Sequence, residues 1–335
     1  MFEIPLLLAL IVLVALVFDF TNGAHDCANA IATVVSTKVV TPRLAVGCAA
    51  TLNLVGALLG TEVAKTLGSG IVLPEVVEGS HVLVLAALVG AIGWNCITWY
   101  FGIPSSSSHA LIGGLIGAAV AHSGMAGLNL YGIMSKVLLP LVISPLSGYA
   151  VGFLLMWIIF WVCAPIQRSK VNRAFRKLQL LSAGFMATSH GLNDAQKTMG
   201  IITLALMIFG FADSTEHVPL WVKLSCAGAM ALGTAIGGWK IVKTMGHRIF
   251  KLEPVHGFAA ETSASIVIAG ASLVGAPVST THTISACIFG VGSTKRLSAV
   301  RWNVAGQLVI AWVLTLPAAS VIGCLSYLIL HLIWA

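Results

Sequence analysis

Gly60-Thr-Glu-Val-Ala-Lys-Thr-Leu-Gly68 and Gly238-Trp-Lys-Ile-Val-Lys-Thr-Met-Gly246 share both terminal glycines and a Lys-Thr pair. Two further matches flank this one in the same order. Upstream, His25-Asp26-Cys27-Ala28-Asn29 aligns with Asn193-Asp194-Ala195-Gln196-Lys197. Downstream, Pro104-Ser-Ser-Ser-Ser-His109 aligns with Pro277-Val-Ser-Thr-Thr-His282. The separation between partners changes only slightly from one match to the next, so short insertions separate the copies. Three ordered matches make duplication the simplest account. The fold is then expected to be two related halves.

Composition identifies the solvent of those halves. Of 335 residues, 58% are hydrophobic and only 9% charged, and the mean hydropathy is +0.98. A soluble chain of this length needs polar groups over most of its surface, and 18 basic plus 11 acidic residues cannot supply them. Apolar stretches recur from Ile4 to Val17, Leu44 to Gly60, Val137 to Val162 and Val304 to Leu330, against the about 20 residues that a spanning helix needs. Lipid-facing backbone must satisfy its own hydrogen bonds, as helices and closed barrels do. These runs are continuous and rich in Leu, Ala and Gly, without the strict alternation of barrel strands. The first run lacks a basic leader and leads into Asp19, Asn22, His25 and Asp26, so it reads as a retained helix.

The expected fold class is therefore an all-α polytopic membrane protein. Its seven cysteines have no metal or disulfide spacing and are expected to be inert core residues. The net charge of +7 does not point to nucleic acid, because the basic residues fall between apolar segments, where they mark cytoplasmic loops. Trp94, Trp99, Trp157, Trp161 and Trp302 are expected as interfacial anchors.

Charge also orients each copy. Lys38 and Arg43 follow the first Asp-containing motif, whereas Asp213 and Glu216 follow the second. The next loops reverse again: Glu75 and Glu78 with only Lys65, against Lys240, Lys243, Arg248 and Lys251 with only Glu253. Equivalent loops thus face opposite sides of the membrane. The expectation is two inverted-topology repeats with broken or re-entrant helices, residues 1–163 and 181–335, joined by a basic cytoplasmic linker, 164–180. Both termini then lie outside an inner (plasma) membrane. Inverted repeats of this kind are typical of secondary transporters that bind substrate near mid-membrane.

The buried polar residues are the candidate site. Asp26 and Asp194 interrupt apolar sequence, where an ionised side chain costs at least about 2.5–3.5 kcal/mol. One such aspartate suggests a helix cap, but a symmetric pair suggests an ion path. With Asn29, Asn193 and Gln196 they offer hard oxygen ligands for a small cation, or carboxylates that carry protons. In each downstream motif a proline precedes small hydroxyl residues, Ser105 to His109 and Ser279 to Thr283, which reads as a break feeding a new helix N-terminus. Free N–H groups and the helix dipole favour an anion there, so the paired termini could cradle a tetrahedral oxyanion; ordinary N-capping is the competing reading. His109 and His282 fit packing as well as binding. Lys197 could meet the anion directly or snorkel to the surface. Glu261 leads a charge-free run, whereas Glu62 has Lys65 three positions on and is expected to pair with it.

Gly23-Ala-His-Asp-Cys-Ala-Asn-Ala30 and Gly191-Leu-Asn-Asp-Ala-Gln-Lys-Thr198 resemble the two signatures of the inorganic phosphate transporter (PiT) family, and the hydroxyl motifs match as well. The resemblance covers both halves. It implies co-transport of phosphate with protons or sodium and no enzymatic activity or cofactor. It further implies a coupling site from Asp26, Asn29, Asn193 and Asp194, with His25, Gln196 and Glu261 attached to it. Asp26, Asn29 and Asp194 would be the metal ligands if sodium is bound. The anion would be held by Ser106, Ser107, Ser108, Ser279, Thr280 and Thr281, with Lys197. His25 stands where the usual signature has asparagine, as in bacterial members associated with proton coupling. The reading is a proton-driven phosphate symporter working by alternating access. A sodium-coupled symporter, a sulfate permease of the family and an anion channel are the alternatives. An intramembrane serine hydrolase lacks its Gly-x-Ser-x-Gly elbow here. Phosphate, the coupling cation and membrane lipid are the expected partners; a homo-oligomer is compatible with the sequence but not specified by it.

Overall fold

The computed structural model describes residues 3–68, 72, 76, 80, 82–214 and 217–334. Glu75, Glu78 and Glu216, used in the charge argument, lie outside the described residues. The first half forms α1 (Glu3–Ser36), α2 (Pro42–Ala57), α3 (Glu62–Gly68), α4 (Leu83–Phe101), α5 (Ser107–Ser123) and α6 (Leu139–Cys163). The second half forms α7 (Arg168–Ile208), α8 (Leu220–Ile236), α9 (Trp239–Lys243), α10 (Pro254–Leu273), α11 (Thr280–Lys295) and α12 (Trp302–Trp334). No strand occurs among the described residues. The two series correspond element by element, down to a proline inside each closing helix, Pro145 in α6 and Pro317 in α12.

Four described stretches are long and apolar enough to cross a membrane: Leu6–Ser36, Leu83–Phe101, Leu130–Cys163 and Trp302–Trp334. The fold is thus the expected all-helical membrane class. Two details differ from the sequence reading. The apolar stretch from Leu44 to Gly60 forms α2, only 16 residues, about 24 Å at 1.5 Å per residue. The chain breaks before α3, as it bends by 62° between α8 and α9. Only residues 164–167 of the basic stretch 164–180 form a loop, because α7 begins at Arg168 and continues for 41 residues. At about 60 Å, that helix exceeds the roughly 30 Å hydrocarbon core, so its charged first turns can lie in water while its centre stays buried.

The equivalent helices α1 and α7 pack antiparallel. The α1 end is tied to the α7 beginning by a 2.8 Å bond from Thr37 Oγ1 to Gln179 Oε1. At the opposite end, Leu8, Val12 and Leu16 of α1 line a cleft with Leu206 of α7. The halves interlock: α1 packs on α8 and α7 on α2, while α6 packs on α11 and α12 on α5. Glycines permit the closest of these approaches. A Cβ on Gly23 would fall 2.3 Å from the Met230 carbonyl oxygen, and one on its repeat partner Gly191 would fall 2.1 Å from that of Asn53. The sequence marks these glycines as parts of a motif, and the structure gives them a packing role.

Basic segments gather at one end. Arg176 donates to the Lys38 carbonyl at 3.0 Å, and Arg168 pairs with Glu253 at 2.8 Å. The α1–α2 turn, the start of α7 and the α9–α10 connection therefore share a face of the molecule. The expected Glu62–Lys65 pair is present at 2.7 Å. Among the cysteines, Cys27, Cys226 and Cys287 are buried as expected, but Cys48 and Cys96 are exposed on the bundle surface; a thiol is apolar enough to face lipid.

Candidate functional site

Helix periodicity assembles the site. Asp19, Asn22, Asp26, Asn29 and Thr33 recur at spacings of three and four residues, forming one stripe along α1, and all five are buried. On α7, His190, Asn193, Asp194 and Lys197 follow the same spacing and are buried too. Because α1 and α7 are antiparallel and packed together, the two stripes meet near their middles.

The starts of α5 and α11 meet the stripes at that point. The proline-hydroxyl motifs do begin new helices. Ser106 caps α5 by accepting from the His109 N–H at 3.2 Å, and Ser279 caps α11 by accepting from the His282 N–H at 3.2 Å. These two hydroxyls thus perform the ordinary capping function. Of the four hydroxyls one and two residues further on, three face the aspartates and one, Ser108, faces Lys197. Asp26 accepts from Ser107 of its own half and, at 3.2 Å, from Thr281 of the other. Its Oδ1 is also 2.7 Å from His25 Nδ1. Asn29 donates to Thr280 at 3.2 Å and Thr281 at 3.0 Å. Asp194 accepts from Thr280 at 2.8 Å and pairs with Lys197 at 2.5 Å. Lys197 also donates to Ser108 and, at 3.1 Å, to the Val278 carbonyl. Those three oxygens occupy all three ammonium donors.

The other expected residues are distributed around this centre. Asn193 donates to Ser272 at 2.7 Å, one step away from the aspartates. Gln196 points elsewhere: its Oε1 accepts from Val63 N at 2.8 Å, satisfying a free donor at the start of α3. Glu261 forms a separate buried cluster, accepting from Thr33 at 2.5 Å, Gln179 at 3.0 Å and Ser182. Thr33 links that cluster to the α1 stripe two turns beyond Asp26. His109 and His282 stack at 5.0 Å between the two helix starts, and Trp312 stacks on His282 at 4.2 Å.

Several participants escape the sequence motifs. His190 Nε2 lies 3.1 Å from Asp194 Oδ2, while its Nδ1 meets Asn53 Oδ1 at 3.1 Å. Thr98 and Ser105 approach His25 Nε2 at 3.0 and 3.3 Å, and Ser107 donates to Asn22 at 2.6 Å. The α1 stripe could have been found from its period; Thr98 and Asn53 carry no local signal, since they arrive from other helices.

Chemically, the centre has two carboxylates and one ammonium where two helix N-termini converge. Asp26, His190 and Asp194 offer oxygen and nitrogen atoms within 4.8 Å of one another, a set that fits a small cation. The hydroxyls and the helix starts suit an anion. Such an arrangement, inside a bundle of membrane-length helices, defines a polytopic membrane protein with a buried polar centre.

The comparisons narrow that class. The phosphate transporter family is matched over residues 22–323, and the chain belongs to that family. A probable low-affinity inorganic phosphate transporter of Bacillus subtilis (strain 168) is 48% identical over 329 residues, 98% of each chain. One of Rhizobium meliloti (strain 1021) is 50% identical over 324 residues, 96% of each chain. These relatives are named transporters, in line with a non-enzymatic function. The solved structure of a sodium-dependent phosphate transporter has a TM-score of 0.83, covers 98% of this chain and 99% of its own, and is 24% identical. That likeness bears on the fold.

Proposed function

We propose that the chain imports inorganic phosphate as a proton-driven symporter, alternating access around the centre where α1, α5, α7 and α11 meet. Residues 1–163 and 181–335 act as inverted repeats in a plasma membrane, with the basic segment 164–180 cytoplasmic. The observation that carries this reading is the convergence of two hydroxyl-bearing helix starts on Asp26 and Asp194. Phosphate is held by Ser107, Ser108, Thr280 and Thr281 and by the helix starts that Ser106 and Ser279 cap. In the conformation described, three of those hydroxyls are bonded to the aspartates, so the anion must compete with the carboxylates for them. The Asp26 carboxylate, which unlike Asp194 has no ammonium beside it, repels an entering anion strongly at low dielectric. A cation arriving at Asp26 removes that repulsion and frees hydroxyls, which makes binding of the two ions mutually favourable.

His25, bonded to Asp26, supports the proton as that cation, because an imidazole nitrogen can take up and release a proton where an asparagine amide cannot. The deciding measurement is uptake of radiolabelled phosphate into proteoliposomes with proton and sodium gradients imposed separately and sulfate as competitor. Concentrative uptake on an inward proton gradient without sodium, weakened in His25→Asn, is expected. A requirement for sodium at every pH in both proteins returns Asp26, Asn29 and Asp194 to a sodium site. Preferential inhibition by sulfate would reassign the substrate.

A further inference from the structure

Among the positions at which the two copies of the shared motif differ, one carries a full positive charge in the second half only. Asp194 is the repeat partner of Asp26, and Lys197 follows Asp194 at the same spacing at which Asn29 follows Asp26. Asn29 and Lys197 are thus the same position in the two repeats. Asn29 spends its amide hydrogens on Thr280 and Thr281 and leaves its buried Oδ1 without a partner, one turn from Asp26. The first half therefore presents an unfilled oxygen beside its carboxylate. In the second half that place holds an ammonium, 1% exposed, surrounded by a carboxylate oxygen at 2.5 Å, a serine hydroxyl and a backbone carbonyl at 3.1 Å. Carboxylate, hydroxyl and carbonyl oxygens are the ligand types that hold small hard cations.

We propose that Lys197 is a tethered cation: its ammonium fills the second-half cation position permanently, so that the chain binds one fewer mobile cation than a site with asparagine in both repeats. The first half is left to take the exchangeable ion. Three features tie Lys197 to Asp194 rather than to an anion in this conformation. Its donors are all engaged, its nearest charge is Asp194, and its side chain is anchored at both ends by α7 and by the start of α11. The ammonium instead neutralises Asp194 in place, which lets the α5 and α11 starts approach each other and an anion without a second ion being loaded. The inference rests on the ion-coupled reading of the same centre.

The test restores the first-half residue with Lys197→Asn in the purified full chain, with sodium, lithium or choline chloride as the only salt. Phosphate affinity by calorimetry and thermal unfolding are both measured. In choline, the variant's phosphate affinity is expected to fall about tenfold or more, because a buried carboxylate has lost its partner. Sodium or lithium should recover much of that loss and raise the unfolding temperature, beyond any effect on wild type. Lys197→Arg keeps a fixed charge and should show no added alkali-ion dependence. Unchanged affinity of Lys197→Asn in choline overturns the proposal. So does a loss that no alkali cation repairs, including a variant unfolded in every salt, since the lysine would then be structural. If wild type itself binds no phosphate, the transport reading fails, while the salt dependence of unfolding still reports on Lys197.

Discussion

At the centre of the bundle, Asp26 and Asp194 occupy equivalent positions on antiparallel helices but are stabilised differently. Each accepts from a hydroxyl and has an imidazole beside it, His25 for Asp26 and His190 for Asp194, but only Asp194 is also paired with an ammonium. The backbone that frames them is duplicated: Gly23 and Gly191 allow the same close packing, and Ser106 and Ser279 cap the same helix starts. The geometry of the two motifs is therefore alike while the charge at one position differs. A carboxylate with neutral partners can still accept a cation, and one already paired with an ammonium has much less to gain from doing so. On the proposed ion-coupled reading, this difference gives ion exchange to the first half and a fixed countercharge to the second.

The largest expected effect breaks this symmetry directly. Asp194→Asn leaves the Lys197 ammonium buried without its carboxylate, which costs about 3–5 kcal/mol. Asp26→Asn keeps an oxygen that can accept from Ser107 and Thr281, so its stability cost should be nearer to about 0.5–1.5 kcal/mol, the worth of a hydrogen bond. Unfolding in detergent should thus separate the two variants strongly, while proteoliposomes should show concentrative uptake lost in both. Equal destabilisation would mean that the Lys197 pair is no more important to the fold than the hydroxyl contacts.

The hydroxyls sharpen the comparison in the opposite sense, because they are expected to act alike. Ser107→Ala and Thr280→Ala each remove one donor to the anion, and a hydrogen bond to a charged group is worth about 1.5–3 kcal/mol. Phosphate dissociation constants from calorimetry should rise by a factor of about ten or more in each. A loss confined to one half would show that only one helix start holds the anion. Glycine packing should be similarly paired. Gly191→Ala and Gly23→Ala both push a methyl into backbone of the other half, an overpacking cost of about 1–3 kcal/mol. Gly47→Ala, with nothing within 4 Å of a Cβ, is the control and should be neutral or slightly stabilising.

Legibility in the sequence followed the range of the interactions. Local rules located what is local: the proline-hydroxyl helix starts, the Glu62–Lys65 pair, and the membrane-length helices. Internal comparison then supplied the pairing of motifs, since a duplicated stretch carries its partner's position with it. Contacts between distant segments stayed hidden. Gln196 reads as part of a signature, yet it caps α3, because the amide faces away from the stripe that carries Asp194. Asn53 and Thr98 join the centre only once helices cross. The basic stretch 164–180 resembles a linker because its charges dominate the reading, although Arg, Lys, Gln and Leu are good helix formers and continue α7 without a break.

The smallest expected effect on stability belongs to the short helices α3 and α9, and this makes them the best places to test inversion. Glu62 and Lys65 on α3 form a pair with side chains 53% and 38% exposed, and such pairs are worth about 0.2–1 kcal/mol. Their equivalents in the second copy are Lys240 and Lys243, where Lys240 instead donates to the Tyr100 carbonyl at 2.8 Å. Glu62→Gln should therefore change unfolding by less than about 1 kcal/mol, with the difference shrinking as salt is raised. Because these positions tolerate change, Lys65→Cys and Lys243→Cys can serve as reporters once the exposed Cys48 and Cys96 have been replaced. The proposed topology puts the α9 connection, with Lys243, Arg248 and Lys251, on the cytoplasmic face. An impermeant maleimide added to sealed, right-side-out cells should then label position 65 and spare position 243, with the pattern reversed in inside-out vesicles. Labelling of both from the same side would place the two short helices on one face and rule out inverted repeats, whatever the correspondence of their helices.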